Sequence, residues 1–161
     1  MDKKTAFAKA SRYCAYQERT QAEVRNKLRE LELWDEAIEE VIVELIQENF
    51  INEERFAKAY ASGKFRNLKW GKIKIKQGLK QHGLSDYCIK KGLAEIAGDD
   101  YEKTITKLIE KKLPAMKEKN SSIRNQKMIK FLMGKGFEAD IVIDLIKKTT
   151  TEKSKINFNH Y

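Results

Sequence analysis

Residues 75–89 read IKQGLKQHGLSDYCI, and the spacing of their apolar residues decides the fold. Leu79 and Leu84 lie five positions apart, and further apolar residues stand four before the first and five and nine after the second. The same spacing recurs about fifty residues earlier and about fifty later. The copies are Val24, Leu28, Leu33, Ile38 and Ile42; Ile75, Leu79, Leu84, Ile89 and Leu93; and Met128, Leu132, Phe137, Val142 and Ile146. A fixed period predicts three supersecondary units that bury their apolar faces partly against their neighbours.

The composition predicts helix throughout the chain. Of 161 residues, 35% are charged and only one is proline, and no segment shows the regular alternation of a sheet protein. We therefore expect an all-α fold of three tandem three-helix repeats, helix-turn-helix-like units that form an elongated, curved molecule. The repeats are predicted to span residues 1–49, 50–98 and 99–148. A polar segment without periodicity predicts a flexible C-terminal tail at residues 149–161.

Local signals predict where the helices begin and end. The predicted N-cap residues are Thr20, Asp35, Asn52, Ser85 and either Ser121 or Ser122. Gly83 and Gly136 should end their helices in the left-handed conformation, which glycine adopts at little cost. Glu32 stands at the equivalent position of the first repeat and could instead start a different turn. We interpret residues 62–69 as a basic connector and expect the last helix to end at Lys148.

Positive charge is concentrated in the second and third repeats. The net charge is +9, made up of −3 for residues 1–50, +7 for 51–98, +4 for 99–148 and +1 for the tail. Nine basic residues and no acidic residue lie between positions 55 and 85. They are Arg55, Lys58, Lys64, Arg66, Lys69, Lys72, Lys74, Lys76 and Lys80. A solvated helix surface normally mixes charges, so this segment is expected to face a polyanion or an acidic protein and to bind it more weakly as salt rises.

Two features of the basic segment have alternative interpretations. The segment could be a lysine-rich surface that is merely solvated, although the absence of any acidic residue favours a binding surface whose principal members are Arg66, Lys69, Lys72, Lys74 and Lys76. Trp70 could stack on a base or on a partner side chain, or it could staple the start of the next helix. The predicted binding residues are Arg55, Lys58, Arg66, Lys69, Trp70, Lys72, Lys74, Lys76 and Lys80.

The short turn before the last helix of each repeat is similar to a helix-turn-helix, which raises sequence-specific DNA binding as an alternative. The helices after these turns begin with carboxylates, at Asp35, Asp86 and Asp140. A reading helix in the major groove would then present negative charge to the phosphates. This pattern does not favour the reading of a specific DNA sequence.

No catalytic constellation is present in the sequence. The Gly-Lys pair at 71–72 is followed by isoleucine rather than Ser or Thr, which excludes a phosphate loop. His82 and His160 are the only histidines, so no metal site is expected. Cys14 and Cys88 are expected to be buried free thiols. With no apolar run long enough to span a membrane and no signal-peptide pattern, we expect a cytoplasmic protein without enzymatic activity, cofactor or membrane partner.

The start of the second repeat carries a family resemblance. A leucine is followed by a short turn with an acidic pair, an Arg-Phe-Ala helix, and a series of glycine, isoleucine, leucine and glycine. These residues are Leu45, Phe50-Ile-Asn-Glu-Glu-Arg-Phe-Ala57, Tyr60, Arg66, Gly71, Ile75, Leu79 and Gly83-Leu84. The pattern resembles the RecX family of bacterial recombination regulators. The resemblance extends from about Tyr13 to Lys148, and three units of three helices each are the family's own layout.

The resemblance implies a regulator, and specifically an inhibitor, of the RecA recombinase. Such a protein would bind in the groove of the RecA–DNA filament and modulate ATP hydrolysis, strand exchange and filament extension, and thereby DNA recombination, DNA repair and the SOS response. The implied partners are the RecA filament and, without sequence preference, single- or double-stranded DNA, bound by a monomer. The alternative function is a sequence-independent DNA-binding helical repeat protein that competes for DNA.

Overall fold

The computed structural model describes the backbone of residues 1–158 and the side chains of residues 1–151. Within that range the chain forms nine α-helices, one short 3₁₀ helix and no β-strand, which confirms the predicted all-α fold. The α-helices are α1 (Lys3–Tyr16), α2 (Gln21–Glu30), α3 (Asp35–Gln47), α4 (Glu53–Leu68), α5 (Lys72–Gln81), α6 (Asp86–Leu93), α7 (Gly98–Lys112), α8 (Ser121–Gly134) and α9 (Ala139–Phe158), and the 3₁₀ helix is Leu113–Ala115. Among the described helices, none combines the length and the apolar character needed to cross a membrane.

The chain divides into two compact units. The first contains residues 1–62 and 78–95, and the second contains residues 63–77 together with the described residues from 96 onward. The core of the first unit includes Val24, Leu28, Ile38, Ile42, Leu45, Leu79 and Ile89. The core of the second includes Ile75, Ile105, Ile109, Met128, Leu132, Phe137 and Val142. Every residue of the repeated apolar pattern is buried except Leu93, which is half-buried.

The five-residue spacing of the apolar pairs comes from the way three helices end. After α5, the Leu84 amide donates to the Leu79 carbonyl (3.3 Å), and the Gly83 amide donates to the Lys80 carbonyl (2.9 Å). Gly83 has a φ of 79°. These features define a Schellman motif, in which the residue after the left-handed position packs on the residue five before it. The same bonds follow α2, from Leu33 to Leu28 and Glu32 to Arg29, and α8, from Phe137 to Leu132 and Gly136 to Met133.

Glu32 adopts the left-handed conformation although it is not a glycine. Its φ is 60°, and its amide donates to the Arg29 carbonyl at 2.9 Å, as the equivalent glycines do in the other repeats. The suggestion that Glu32 starts a different turn is therefore wrong. A side chain with a Cβ costs about 1–2 kcal/mol in this conformation. The first repeat thus carries local strain that Gly83 and Gly136 avoid.

Three of the predicted N-caps are confirmed. The Thr20 hydroxyl accepts from the Glu23 amide (3.2 Å) while the Glu23 carboxylate accepts from the Thr20 amide (3.3 Å), which completes the capping box. Asn52 and Ser85 each accept from the amide three residues later, at 2.9 and 3.2 Å. These caps depend only on neighbouring residues, which is why the sequence locates them.

The other two N-cap predictions are wrong by one or two residues. Trp34 occupies the N-cap position of α3 without a side-chain hydrogen bond, and Asp35 is already helical. Asn120, rather than Ser121 or Ser122, caps α8, because its Oδ1 accepts from the amides two and three residues later, at 2.9 and 3.2 Å. Asp35 still lies in the first turn, where the helix dipole favours a carboxylate.

Helix α4 continues to Leu68, so the interpretation of residues 62–69 as a connector is wrong. Ala57, Ala61 and Phe65 recur every four residues and are all buried, which extends one apolar face through the basic segment. Lys69, with a φ of 57°, follows the end of the helix. The basic residues that suggested a connector lie on a helix and around its C-terminal end.

Helix α9 continues beyond its predicted end at Lys148, as far as Phe158. Thr149 is buried, and its hydroxyl donates to the Leu145 carbonyl at 2.8 Å. The flexibility of residues 149–161, of which the last three lie outside the described residues, stays a prediction. The repeat boundaries and the elongated, curved shape also stay predictions.

Candidate functional site

The predicted binding residues lie on α4 and α5 and between these helices, and they belong to both units. Arg55, Lys58 and Lys80 are in the first unit. Arg66, Lys69, Trp70, Lys72, Lys74 and Lys76 are in the second. The contacts of the two groups differ, and this difference decides which side chains are available to a partner.

In the first unit, Arg55 contributes to the fold. Its Nε lies 2.5 Å from a carboxylate oxygen of Glu18, and one of its terminal nitrogens donates to the carbonyls of Asn49 and Phe50, at 3.1 and 3.3 Å. Those carbonyls belong to the turn that follows α3, where backbone acceptors need donors. The Arg55 guanidinium therefore joins elements that are distant in sequence, and its charge is offset by Glu18.

Lys58 is also paired with acidic side chains of the first unit. Its ammonium lies 3.4 Å from Glu54 and 3.8 Å from Glu95. Lys80 is exposed and forms no ion pair with the described side chains. Of the three basic residues predicted in this unit, Lys80 is thus the one whose charge is not offset by a neighbouring carboxylate among residues 1–151.

In the second unit, the five predicted basic side chains have no carboxylate partner among residues 1–151. Arg66, Lys69 and Lys76 are exposed, and Lys72 and Lys74 are half-buried. Within the described side chains, none of the five forms an ion pair. The Lys69 ammonium donates to the Arg66 carbonyl at 2.7 Å, near the C-terminal end of α4, where positive charge is favourable. An unpaired ammonium keeps its full attraction for an external anion.

Trp70 brings two lysine side chains together. The Lys74 ammonium lies 4.6 Å from the centre of an indole ring and the Lys64 ammonium lies 5.0 Å from it, both within the range of a cation–π contact. The indole is half-buried, and its backbone amide donates to the Lys64 carbonyl at 3.2 Å. Trp70 therefore fixes positive charge at the junction of α4 and α5. Its stacking on a base or partner side chain stays a prediction.

The first turn of α5 is closed by backbone contacts in the second unit. The Gly71 amide donates to the Lys135 carbonyl (2.8 Å), and the Ile73 amide donates to the Gly136 carbonyl (3.0 Å). A Cβ built on Gly71 would lie 2.2 Å from the Gly136 carbonyl carbon and oxygen, so the two backbones approach closely only because position 71 lacks a side chain. The Gly71 and Ile73 amides are therefore unavailable for a phosphate.

Tyr101 completes this junction. Its hydroxyl accepts from the Lys72 amide at 3.0 Å and donates to a carboxylate oxygen of Glu138. Burial and the bond to Glu138 raise the pKa of the Tyr101 hydroxyl, so it stays protonated at neutral pH. The Lys72 ammonium lies 4.8 Å from the centre of the Tyr101 ring. Both the start of α5 and the Lys72 side chain are therefore held in place by one buried tyrosine.

Sequence reasoning missed a second basic group in the second unit. The ring of Phe131, on α8, has the Lys112 ammonium at 4.0 Å and the Lys135 ammonium at 5.7 Å from its centre. These lysines are separated by 23 positions (112 to 135) and contact one ring only after α7 and α8 pack together. The net charge of +4 in the third repeat was the signal that could have suggested them.

Neither a metal nor a redox centre is suggested by the described side chains. No group of three or more His, Cys, Asp and Glu side chains among them is placed to hold a metal ion. His82 lies 3.6 Å from a Glu23 carboxylate oxygen and packs near the rings of Phe56 and Tyr60. Both cysteines are free, but Cys88 is half-buried rather than buried as expected. His160 lies outside the described residues.

Comparison with known proteins gives matches along most of the chain. Family models for the first, second and third three-helix domains of RecX match residues 6–45, 52–93 and 99–146, respectively. "Regulatory protein RecX" of Clostridium perfringens is 31% identical over 84% of this chain and 64% of its own length. The protein of the same name from Streptococcus uberis is 33% identical over 81% of this chain and 50% of its own length.

The fold also matches a solved structure. The crystal structure of RecX from Lactobacillus salivarius has a TM-score of 0.85 and 26% identity, and the match covers 92% of this chain and 97% of that one. The chain spans between about half and two thirds of the length of the curated relatives that it matches. The three domain matches follow one another in the order of the three predicted repeats.

Proposed function

The chain belongs to the RecX family, and from this premise we propose that it regulates the RecA recombinase. The observation that carries the proposal is the match to all three RecX domains in order along the chain. A second observation supports it, since the lysines of α5 have no carboxylate partner among the described side chains. The curated relatives are regulatory proteins by name. A regulator without catalytic residues of its own acts through binding.

The proposed mode of action is inhibition by binding in the groove of the RecA–DNA filament. Such a filament presents phosphates and acidic protein side chains together, and lysine ammoniums interact with both as point charges. A protein held there would restrain ATP hydrolysis, strand exchange and filament extension, with effects on DNA repair and the SOS response. Because this chain contains three linked domains, weak contacts of each would raise the effective concentration of the others. We propose that it acts as a monomer in the cytoplasm.

The principal contacts are proposed to be Arg66, Lys69, Lys72, Lys74 and Lys76, with Lys80 and Trp70 as further members. The absence of carboxylate partners among the described side chains supports this choice for the basic residues. Arg55 and Lys58 have ion-pair partners in the first unit, so we propose that they contribute to the fold more than to binding. Binding should weaken as salt rises, because phosphate contacts release counterions.

A sequence-independent DNA-binding protein that competes with RecA for DNA is the alternative function. The same unpaired lysines favour it, since phosphates are recognised by charge without reference to sequence. The exposed carboxylates of Asp35, Asp86 and Asp140, in the first turns of α3, α6 and α9, do not favour sequence-specific reading. The two functions differ in whether inhibition requires that the DNA be saturated.

The test measures RecA ATPase activity on single-stranded DNA and binding to the same DNA by gel shift, both as a function of protein concentration. Inhibition well below the concentration that coats the DNA supports direct filament binding. Inhibition that appears only when the DNA is saturated supports competition. If neither the ATPase activity nor the DNA mobility changes, both functions are refuted.

A charge-reversed variant tests the proposed surface. Lys74→Glu combined with Lys76→Glu should raise the midpoint of inhibition at least tenfold, because two attractive charges become repulsive. Lys90→Glu combined with Lys91→Glu is a matched control with the same charge change on the exposed face of α6, and its midpoint should change less than twofold. Lys72 is left intact because a glutamate beside Tyr101 and Glu138 would disturb the start of α5. Equal midpoints for the two variants would refute the assignment.

A further inference from the structure

A cavity of about 450 Å³ opens in the second unit next to the missed basic group. Its lining includes four lysines, namely Lys69 after α4, Lys111 and Lys112 at the end of α7, and Lys135 after α8. Leu108, Ala115 and Phe131 supply the apolar part of the lining. Among residues 1–151 no acidic side chain lines the cavity and none of the four lysines forms an ion pair. The cavity therefore combines an apolar floor with a positively charged rim.

Phe131 connects this cavity with a second one. A neighbouring cavity of about 510 Å³ shares Lys112, Ala115 and Phe131 with the first. It adds Lys117, Lys127 and Lys130 to the lysines already described, and the one carboxylate among its described lining residues, Glu118, is paired with Lys127. The two cavities adjoin at Lys112, Ala115 and Phe131, and together they are called the groove. A groove of this kind fits an extended segment better than a single small anion.

We propose that this groove binds an acidic peptide segment that carries one large apolar side chain. The apolar side chain would enter the cavity beside Leu108 and Phe131, and the neighbouring carboxylates would contact the lysines of the rim. Burial of the side chain removes apolar surface from water without leaving any polar group unpaired. Among the described side chains, the first cavity has four lysines and no carboxylate, which gives the charge complementarity that such a segment requires.

The chemistry of the lining favours a peptide over an unpaired nucleobase. Every base carries N–H donors on its edge, and the described side chains that line the first cavity contain no hydrogen-bond acceptor, since lysine only donates. A base in the cavity would leave these donors without a side-chain partner, at a cost in affinity. The Lys112 ammonium also lies close to the Phe131 ring, at 4.0 Å from its centre, where a base would have to stack.

The experiment uses fluorescence anisotropy with the full chain and three labelled probes. The first probe is a short peptide of Asp and Glu residues around one central Leu, the second replaces this Leu by Ser, and the third is a short oligo(dT). The Leu peptide should bind at least tenfold more tightly than the Ser peptide, because only the Leu side chain gains from burial. Binding of both peptides should weaken as salt rises.

Two variants separate the apolar and the charged contributions. Ala115 is exposed, so Ala115→Phe fills the cavity from its edge without removing a buried group. This variant should weaken the Leu peptide about tenfold and leave the Ser peptide and oligo(dT) within twofold. Lys111→Glu should weaken both peptides at least threefold, whereas Lys107→Glu, one turn earlier on α7 and outside this cavity, should change neither by more than twofold.

Several results would overturn the proposal. Equal affinity for the Leu and Ser peptides would show that charge alone is recognised. Oligo(dT) binding that falls in the Ala115→Phe variant would show that the cavity takes a base. An unchanged Leu-peptide affinity in that variant would place the binding elsewhere. These measurements contain no RecA, so their failure and a failure of the proposed regulatory function are distinguished directly.

Discussion

The substitution Gly71→Ala should strongly lower the free energy of unfolding of the second unit, although it adds only one methyl group. The new Cβ would lie 2.2 Å from the Gly136 carbonyl and 2.3 Å from the Phe137 nitrogen, all of them backbone atoms that cannot rotate away. Relief of the overlap requires α5 to move from α8, which costs about 1–3 kcal/mol in packing. The movement also weakens the bonds from Gly71 and Ile73 to the turn after α8, each of which contributes about 1 kcal/mol. The expected loss is therefore about 3–5 kcal/mol.

Two other glycines provide matched controls for this change. A Cβ on Gly83 meets no atom within 4 Å but must accept a φ of 79°, so Gly83→Ala isolates the cost of the left-handed backbone, about 1 kcal/mol. A Cβ on Gly134 also meets no atom within 4 Å, and this residue lies in the last turn of α8. Gly134→Ala should therefore stabilise by up to about 1 kcal/mol.

The assay is urea unfolding followed by far-UV circular dichroism, which reports the helices of both units including the one that ends at Gly83, and by the fluorescence of Trp70, which lies in the second unit. Trp34 is 76% exposed, so Trp34→Tyr removes the other indole with little effect on packing. Free energies of unfolding come from linear extrapolation, with equal slopes required between variants. The order of stability should be Gly134→Ala, parent, Gly83→Ala and Gly71→Ala. A Gly71→Ala variant within 1 kcal/mol of its parent would refute the close backbone contact.

Three further predictions concern single residues. Glu32→Gly should stabilise by about 0.5–1 kcal/mol in urea unfolding, because it relieves the left-handed strain, whereas Glu36→Gly within α3 should destabilise. Tyr101→Phe should cost about 1–3 kcal/mol at pH 7 and should flatten the alkaline loss of stability. The raised pKa of Tyr101 contributes stability below about pH 10 that is lost as pH rises further, so stability curves that stay parallel above pH 10 would refute its role. Arg55→Ala should lower the urea midpoint of unfolding but leave the midpoint of RecA inhibition within twofold. A tenfold rise in the inhibition midpoint would show that Arg55 belongs to the binding surface.

The sequence predicted the features that depend on a few consecutive residues. The pair Leu79 and Leu84 could be recognised because a Schellman motif brings residues five apart into contact within one turn. The Thr20 capping box is equally local. The end of α4 was missed because Lys64 and Arg66 masked the buried stripe through Ala61 and Phe65. A stripe of one residue in four is too sparse to outweigh the polar residues between its members.

The candidate site could be predicted only in part, because a charge becomes available for binding only if folding does not neutralise it. No acidic residue lies between Arg55 and Ser85 in the sequence, yet Glu18 reaches Arg55 from 37 residues away (18 to 55). On α5, by contrast, the ammoniums of Lys74 and Lys76 form no ion pair with any described side chain. The groove beside Phe131 required the packing of α7 on α8 and left no contiguous motif.

The neutralised charge of Arg55 and the unpaired charges of α5 illustrate one physical point. Net charge is a property of a segment, whereas attraction for a partner depends on the charges that remain after nearby groups of opposite sign are subtracted. In the first unit Glu18, Glu54 and Glu95 subtract most of the contribution of Arg55 and Lys58. In the second unit the lysines of α5 form no ion pair among the described residues, and around Phe131 the one carboxylate among those residues, Glu118, is paired with Lys127. Salt should therefore weaken binding in proportion to the lysines of the second unit that contact the partner, and variants of Arg55 should leave that dependence unchanged.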